Sequence, residues 1–208
     1  MSRKILISVV PAALACVAVL TGCGDDGSTG HDRHPVTATS ATPDTSAART
    51  EKHNDADIAF AQEMIPHHRQ AIEMAALVPS RSTDPRILDL ANRIRAAQEP
   101  EITTMTTWLR SWGVAAPPTD EHDGMDHGDT PMMPGMMTDE QMDRLEAATG
   151  AEFDRLWLTG MIAHHRGAVD MARTELTEGS NPEAEDLARQ IIETQQDEIT
   201  RMQSLLQG

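Results

Sequence analysis

Apolar residues recur every three or four positions over four long stretches of this chain, and this spacing predicts four amphipathic α-helices. At about 100° per residue, the first stretch places one set of side chains in a narrow sector that would face the protein interior. This sector contains Phe60, Met64, His67, Ala71 and Met74, with His68 and Ala75 at its edge. The same sector of the third stretch contains Trp157, Met161, His164, Ala168 and Met171, with His165 and Ala172 at its edge. Each inward face therefore includes two imidazoles.

Capping residues indicate where these helices begin. Asn54 or Asp55 can cap the first helix, which is expected to end near Val78. Asp84-Pro85 and Asn181-Pro182 open the second and the last helix, because a capping residue followed by proline suits a helix start. The two pairs occupy matching places in the chain, which suggests that the helices are related.

That relation is an internal repeat. Residues 64–75, MIPHHRQAIEMA, return as residues 161–172, MIAHHRGAVDMA, at an offset of 97 positions (161 − 64). The same offset aligns residues 57–109 with residues 154–206 without a gap. One helical hairpin cannot bury its own apolar face, so two hairpins are expected to pair into a four-helix bundle. We predict an all-α bundle over residues 55–208, with hairpins at 55–112 and 151–208 joined by a long crossover at 113–150.

The repeated motif has the spacing of a ligand site. Met64 lies angularly between His67 and His68 and one turn before them, so a thioether and two imidazoles converge. The second copy repeats the arrangement. Thioether sulfur and imidazole nitrogen are ligands for soft and borderline metal ions.

Polar residues also occupy the inward faces of the second and last helices. Each face combines an amide, a carboxylate and a thioether: Gln98, Glu101 and Met105 in one helix, and Gln195, Glu198 and Met202 in the other. Antiparallel packing is expected to place Gln98 level with Met64 and Glu101 one turn further out. These groups would either orient an imidazole or add ligands. The alternative is a polar core layer in which they only hydrogen-bond the histidines and no ligand binds.

The first 22 residues have the features of an export signal, with basic Arg3 and Lys4 followed by an apolar run. The run ends in Leu20-Thr21-Gly22-Cys23, which resembles the lipobox of bacterial lipoproteins, in which the cysteine is acylated. Residues 23–54 are polar, without a hydrophobic period, and are predicted to form a disordered tether. We therefore expect an exported protein, anchored through Cys23 to the outer face of the cytoplasmic membrane or held in the periplasm.

Charge and cysteine content narrow the function further. The formal net charge of −16 should repel nucleic acid and attract cations, which excludes a nucleic-acid-binding function. Cys16 would leave with the signal and Cys23 would be lipidated, so the folded part would contain no thiol. A soft-metal site in this chain would use Met and His.

The crossover between the hairpins has two parts. Thr138 and Gln141 form a capping-box pattern that predicts a short helix from Asp139 to about Ala148. The preceding segment is rich in thioethers and imidazoles among Gly and Pro, which prevent a helix. These residues are His122, Met125, His127, Met132, Met133, Met136 and Met137. They would either capture a soft ion such as Cu(I) or Ag(I) or form a flap that covers the bundle.

Taken together, residues 53–75, the Met-rich crossover and residues 153–172 resemble the domain-of-unknown-function 305 (DUF305) family. The resemblance implies a small exported bundle of the ferritin-like class, and some family members are associated with copper. Carried over by position, the candidate metal residues are Met64, His67, His68, Met74, Met161, His164, His165 and Met171. The candidate auxiliary residues are His53, Gln98, Glu101, Met105, Gln195, Glu198 and Met202, with the seven crossover residues.

The function that these patterns favour is extracytoplasmic binding of Cu(I) or Ag(I), or of another soft or transition metal, for sequestration or transfer. One alternative is a metal-free interaction domain of the cell envelope. Another is a ferritin-like oxidase, but such enzymes use two Glu-x-x-His motifs, and this sequence has none. No nucleophile constellation for another kind of catalysis is visible.

Overall fold

The computed structural model describes residues 52–118 and 133–208, and within them every regular element is an α-helix. The long helices are α1 (Asp55–Arg81), α2 (Pro85–Ser111), α4 (Gly150–Glu178) and α5 (Pro182–Gln207), and a short α3 (Asp139–Ala147) precedes α4. The prediction of an all-α bundle is thus confirmed. No helix in the described part of the chain combines the length and the apolar character needed to cross a membrane.

The helices begin at the residues that local chemistry favours. Asn54 caps α1, Asp84 caps α2 and Asn181 caps α5, each through its side-chain oxygen. Thr138 and Gln141 form a complete capping box at α3.

The end of α1 is the one boundary that differs clearly from the sequence prediction. The helix continues past Val78 to Arg81, although Pro66 and Pro79 both lie inside it. Each proline removes one backbone N–H, but α1 packs along both α2 and α4. Tertiary packing of this kind commonly outweighs local helix propensity.

Packing places α1 and α4 at the centre of the bundle. They lie against each other, α2 covers α1, α5 covers α4, and α3 touches α4. The buried apolar residues form two clusters, and the histidines of the repeated motif are buried as well.

A polar clasp joins the start of α1 to the loop between α4 and α5. The buried Asp57 carboxylate accepts hydrogen bonds from the backbone N–H groups of Asn54, Ser180 and Asn181 and from the Ser180 hydroxyl, at 2.6 to 3.1 Å. Burial alone would raise the pKa of Asp57, but the hydrogen bonds that stabilise its charged form lower it. The clasp ties the two hairpins together at one end.

Candidate metal centre

Four histidines form one buried layer where α1 and α4 cross. His67, His68, His164 and His165 have no exposed surface. The His67 and His164 rings touch across the two hairpins, with centroids 3.8 Å apart and planes inclined by 41°. The His164 and His165 centroids are 6.4 Å apart. The sequence predicted one group in each hairpin, whereas the structure brings the two groups into contact.

Two of these imidazoles are held by carboxylates from the outer helices. His68 Nε2 lies 2.6 Å from Glu101 Oε2, and His165 Nε2 lies 2.7 Å from Glu198 Oε2. The glutamate side chains remain 16% and 13% exposed, so they connect the buried rings to the surface. A carboxylate accepts, so each ring donates its Nε2–H, and in the neutral ring the remaining lone pair is on Nδ1.

His67 is held differently, by the crossover. Its Nε2 lies 3.1 Å from the carbonyl oxygen of Pro134. A carbonyl can only accept, so Nε2 bears the proton and the lone pair of the neutral ring is on Nδ1. That Nδ1 is buried without a hydrogen-bond partner.

The two rings in contact are neutral near pH 7. Burial, followed by the nearby His68, lowers the pKa of His67 to about 3, although the bond to Pro134 opposes this shift. Burial and the other three histidines hold the pKa of His164 well below its usual value. The backbone of His67 lies near the His164 ring and opposes part of the shift, but it makes no hydrogen bond of good geometry to it. Neutral imidazoles need not lose a proton to bind a metal ion.

The histidine layer and the buried glutamines of α2 and α5 contain many polar atoms without a partner. They are Nδ1 of His67, His68 and His165, both ring nitrogens of His164, both amide atoms of Gln98, and Oε1 of Gln195. Leaving a buried polar group unsatisfied costs about 1–3 kcal/mol. A purely structural polar layer therefore accounts for only some of these groups. The glutamates form hydrogen bonds with two rings, whereas Gln98, which is 2% exposed, forms none with any ring.

The buried methionines lie on both sides of this layer. One apolar cluster contains Met64, Met105 and Met171. The other contains Met74, Met161 and Met202. Met64 and Met74 share one face of α1 in the sequence pattern but lie in different clusters. Because α1 and α4 run antiparallel, residues that follow the histidines in one helix lie beside residues that precede them in the other.

A short part of the crossover, residues 133–137, lies directly on α4, and we call it the strap. Met136 N donates to Met133 O at 3.2 Å, and Gly135 has φ +82°, as expected for a Pro-Gly turn. A Cβ atom on Gly167 would lie 1.7 Å from Pro134 O, and one on Gly135 would lie 2.3 Å from Ala163 O. The two backbones touch because neither position has a side chain.

Gln70 fastens the other end of the strap. Its side chain accepts from Met137 N at 2.7 Å and donates to Met137 O at 2.9 Å. The hydrophobic spacing does not predict that Pro134, Gly167 or Gln70 belongs to the site. The sequence contains one indication of the strap, a difference between the two copies of the repeat. The second copy has Gly167 where the first has Gln70 (167 − 97 = 70).

The auxiliary candidates separate into several groups. Glu101 and Glu198 contact the histidine layer, and Met137 Sδ lies beside Gly160, near the end of Met74. His53 instead stacks on Trp112, with centroids 4.7 Å apart. Met133 and Met136 are half-buried in the strap. His122, Met125, His127, Met132 and Cys23 lie outside the described residues. Over residues 52–118 and 133–208, no three His, Asp or Glu side chains are grouped as metal ligands.

These features define a double-hairpin helical bundle with a buried histidine layer flanked by thioethers. The chain belongs to the DUF305 family: the sequence profile described as "Domain of unknown function (DUF305)" matches residues 57–206.

Solved structures of relatives have the same fold. A DUF305 protein from Streptomyces coelicolor is 35% identical, with a TM-score of 0.64, and the match covers 73% of this chain and 91% of that one. CopM in a Cu(II)-bound form is 36% identical, with a TM-score of 0.62, over 73% and 95% of the two chains. CopM in a Cu(I)-bound form is 32% identical, with a TM-score of 0.57, over 73% and 95%.

A shorter match is to uncharacterized protein L153 of Acanthamoeba polyphaga mimivirus. It is 40% identical over 53 residues, which are 26% of this chain and 35% of that protein. The chain thus spans about a third of the length of this relative.

Proposed function

We propose that this protein is an extracytoplasmic metal-binding protein that holds Cu(I) or Ag(I) through Met and His, for sequestration or transfer. The observation that carries the proposal is the set of unpartnered Nδ1 atoms on His67, His68 and His165 in one buried layer. Their Nε2 atoms are already occupied by Pro134, Glu101 and Glu198, respectively. Such outer partners fix the tautomer and aim the free nitrogen of a metal-binding imidazole.

The thioethers complete a donor set of the right chemistry. Met64 and Met161 precede the histidine pairs by one turn, and both are fully buried. Neutral sulfur and neutral nitrogen suit a soft monovalent ion, because neither ligand must release a proton. All of these donor residues belong to the central helices α1 and α4, so we propose that both hairpins contribute to binding.

Relatives add independent support. CopM, which is 30–36% identical to this chain, has Cu(I)-bound, Cu(II)-bound and Ag-bound forms. We extend metal binding from that protein to this one because the chain covers 94–95% of it.

The proposed location follows from the amino terminus. The Leu20-Thr21-Gly22-Cys23 motif and the apolar run before it support export followed by acylation of Cys23. An oxidising compartment suits a Met and His site, which disulfide formation cannot destroy. Mass spectrometry of the mature amino terminus tests this part of the proposal, since an unmodified or absent Cys23 would refute the anchor.

A competition titration tests metal binding. Purified protein competes for Cu(I) with a chromogenic chelator, and the wild type is compared with a variant in which His67, His68, His164 and His165 are Ala. We expect the variant to lose affinity by at least a hundredfold, since loss even of a residue outside the ligand set typically costs 10–100-fold. The control is His53→Ala, because His53 lies on Trp112 and not in the layer.

A second variant avoids the risk that removing four buried histidines unfolds the bundle. Replacing Met64 and Met161 by Leu conserves volume and apolar character, which cores tolerate well, but removes both sulfur atoms. Affinity for Cu(I) and Ag(I) should fall while circular dichroism is unchanged. Absence of Cu(I) binding by the wild type and by all variants alike would favour the metal-free envelope domain. Iron in the isolated protein with oxygen-dependent turnover would favour the oxidase.

A further inference from the structure

We propose that the metal ion reaches the histidine layer through the groove between α2 and α5. The inference rests on the metal-binding function proposed above and adds the route of access to it. The groove is open to solvent, has a volume of about 610 Å³ and is lined by residues of both helices. Among them is Glu198, whose Oε2 lies 2.7 Å from His165 Nε2. One side chain therefore separates the groove from a buried imidazole.

Two of the residues that line the groove have small side chains. Ala97 of α2 and Thr194 of α5 line it and are equivalent in the repeat (194 − 97 = 97). The next residues, Gln98 and Gln195, are 2% and 3% exposed and have amide atoms without hydrogen-bond partners. An ion that passes between Ala97 and Thr194 would therefore enter next to two buried amides whose oxygens have no partner.

The charge of the groove suits a cation. Glu193, Asp197 and Glu198 line it, against Arg93 and Arg201. Arg93 is already paired with Asp89, at 2.7 Å. Carboxylates that outnumber the free guanidinium group raise the local cation concentration.

The opposite side of the layer is closed by the strap. Pro134 O accepts from His67 Nε2 and would lie 1.7 Å from a Cβ atom on Gly167, so backbone covers this side. A second cavity of about 310 Å³ lies beside the strap, between α1 and α4. It is lined by Ala59 and Met171, among others, but by no histidine and by no partner of a histidine except Pro134. This cavity is the competing route.

The test measures rates, because a route of access changes rates without changing the equilibrium. Ala97→Phe combined with Thr194→Phe fills the groove without replacing any proposed ligand. Ala59→Phe fills the second cavity and is the matched control. Cu(I) uptake from a weak chelator and Cu(I) loss to a strong chelator are followed by stopped-flow absorbance, together with the equilibrium affinity.

We expect the double variant to bind and release Cu(I) about tenfold more slowly at unchanged affinity, which corresponds to a barrier increase of about 1.4 kcal/mol. Thr194→Phe alone changes an exposed residue, so it should fold and should show part of the effect. Unchanged rates in both groove variants, or slower rates only in Ala59→Phe, would overturn the proposed route while leaving metal binding intact. Absence of Cu(I) binding by the wild type would instead overturn the proposed function, and the route with it.

Discussion

The two hairpins are copies in sequence but differ in what covers them. Their shared features are nearly identical in geometry: the His68–Glu101 and His165–Glu198 bonds measure 2.6 and 2.7 Å. They differ where the crossover lies. His67 is bonded to Pro134 of the strap, whereas both ring nitrogens of His164 lack a partner. The repeat thus builds a symmetric layer, and the strap makes its two central rings unequal.

Two pairs of matching positions record this difference: Gln70 corresponds to Gly167, and Glu63 to Gly160. A third pair, Val78 and Glu175, differs beside the clasp at Asp57. In α1, Gln70 holds the strap by two hydrogen bonds. In α4, Gly167 and Gly160 leave room for it. Substitutions at these positions can therefore test how much each half contributes.

The largest effect is expected from Gly167→Ala. The new methyl group would meet Pro134 O at 1.7 Å, and because that neighbour is backbone, the strap must move. We expect a loss of roughly 3 kcal/mol of unfolding free energy, at the upper end of the usual range for overpacking. Urea unfolding measures it, and limited proteolysis should cut residues 133–137 faster.

Gly160→Ala is the matched control. Its new methyl group would meet Met137 Sδ at 3.1 Å, and this atom is at the end of a flexible side chain. The greater helix propensity of Ala also offsets part of any strain. If both variants lose the same stability, the close backbone contact at Gly167 is not what holds the strap.

A smaller effect is expected from Gln70→Ala, which removes both bonds to the backbone of Met137. At 0.5–1.5 kcal/mol for each bond, the loss should be about 2 kcal/mol. Hydrogen exchange at Met137 N–H should become faster. Gln62→Ala is the control, since Gln62 makes one exposed bond of 3.3 Å to Ala115 O and should change stability by only a few tenths of a kcal/mol.

These contrasts also show what the sequence could predict. Caps and repeated faces are local, so a cap of α1 at Asn54 or Asp55 and the inward position of His67 could be predicted, and the structure has Asn54 as the cap. Each glutamate pairs with a histidine 33 residues away in the same hairpin, as antiparallel packing allows. The register differs from the expected one, because Gln98 level with Met64 would place Glu101 about two turns from His68.

The contacts between hairpins could not be predicted in the same way. The touching rings of His67 and His164 depend on the register of α1 against α4, which no spacing within one helix determines. The strap has no hydrophobic period, and Pro134 contributes its backbone carbonyl, which any residue possesses. Metal ligation by these residues stays a prediction.

The smallest effect, measured as the change in stability per pH unit, is expected at Glu175, where the first hairpin has Val78. Glu175 is 1% exposed beside the Asp57 carboxylate, although neither of its oxygens makes a hydrogen bond of good geometry. Burial, and then Asp57, raises the pKa of Glu175 from 4.5 to about 8. The folded state therefore keeps a proton that the unfolded state has lost. Stability should fall as pH rises from about 4.5 to about 8 and should level off above this range.

Glu175→Gln removes this ionisation and should reduce the decline. Relative to wild type, the variant should gain about 1 kcal/mol between pH 6 and pH 7, since one pKa unit corresponds to 1.36 kcal/mol. Thermal unfolding at a series of pH values measures the difference, which is insensitive to any pH-independent cost of the substitution. Glu178→Gln, one turn further along α4 and exposed, is the control. Parallel pH profiles for wild type and Glu175→Gln would mean that Glu175 is ionised in the folded protein, and that the clasp at Asp57 tolerates a second buried charge.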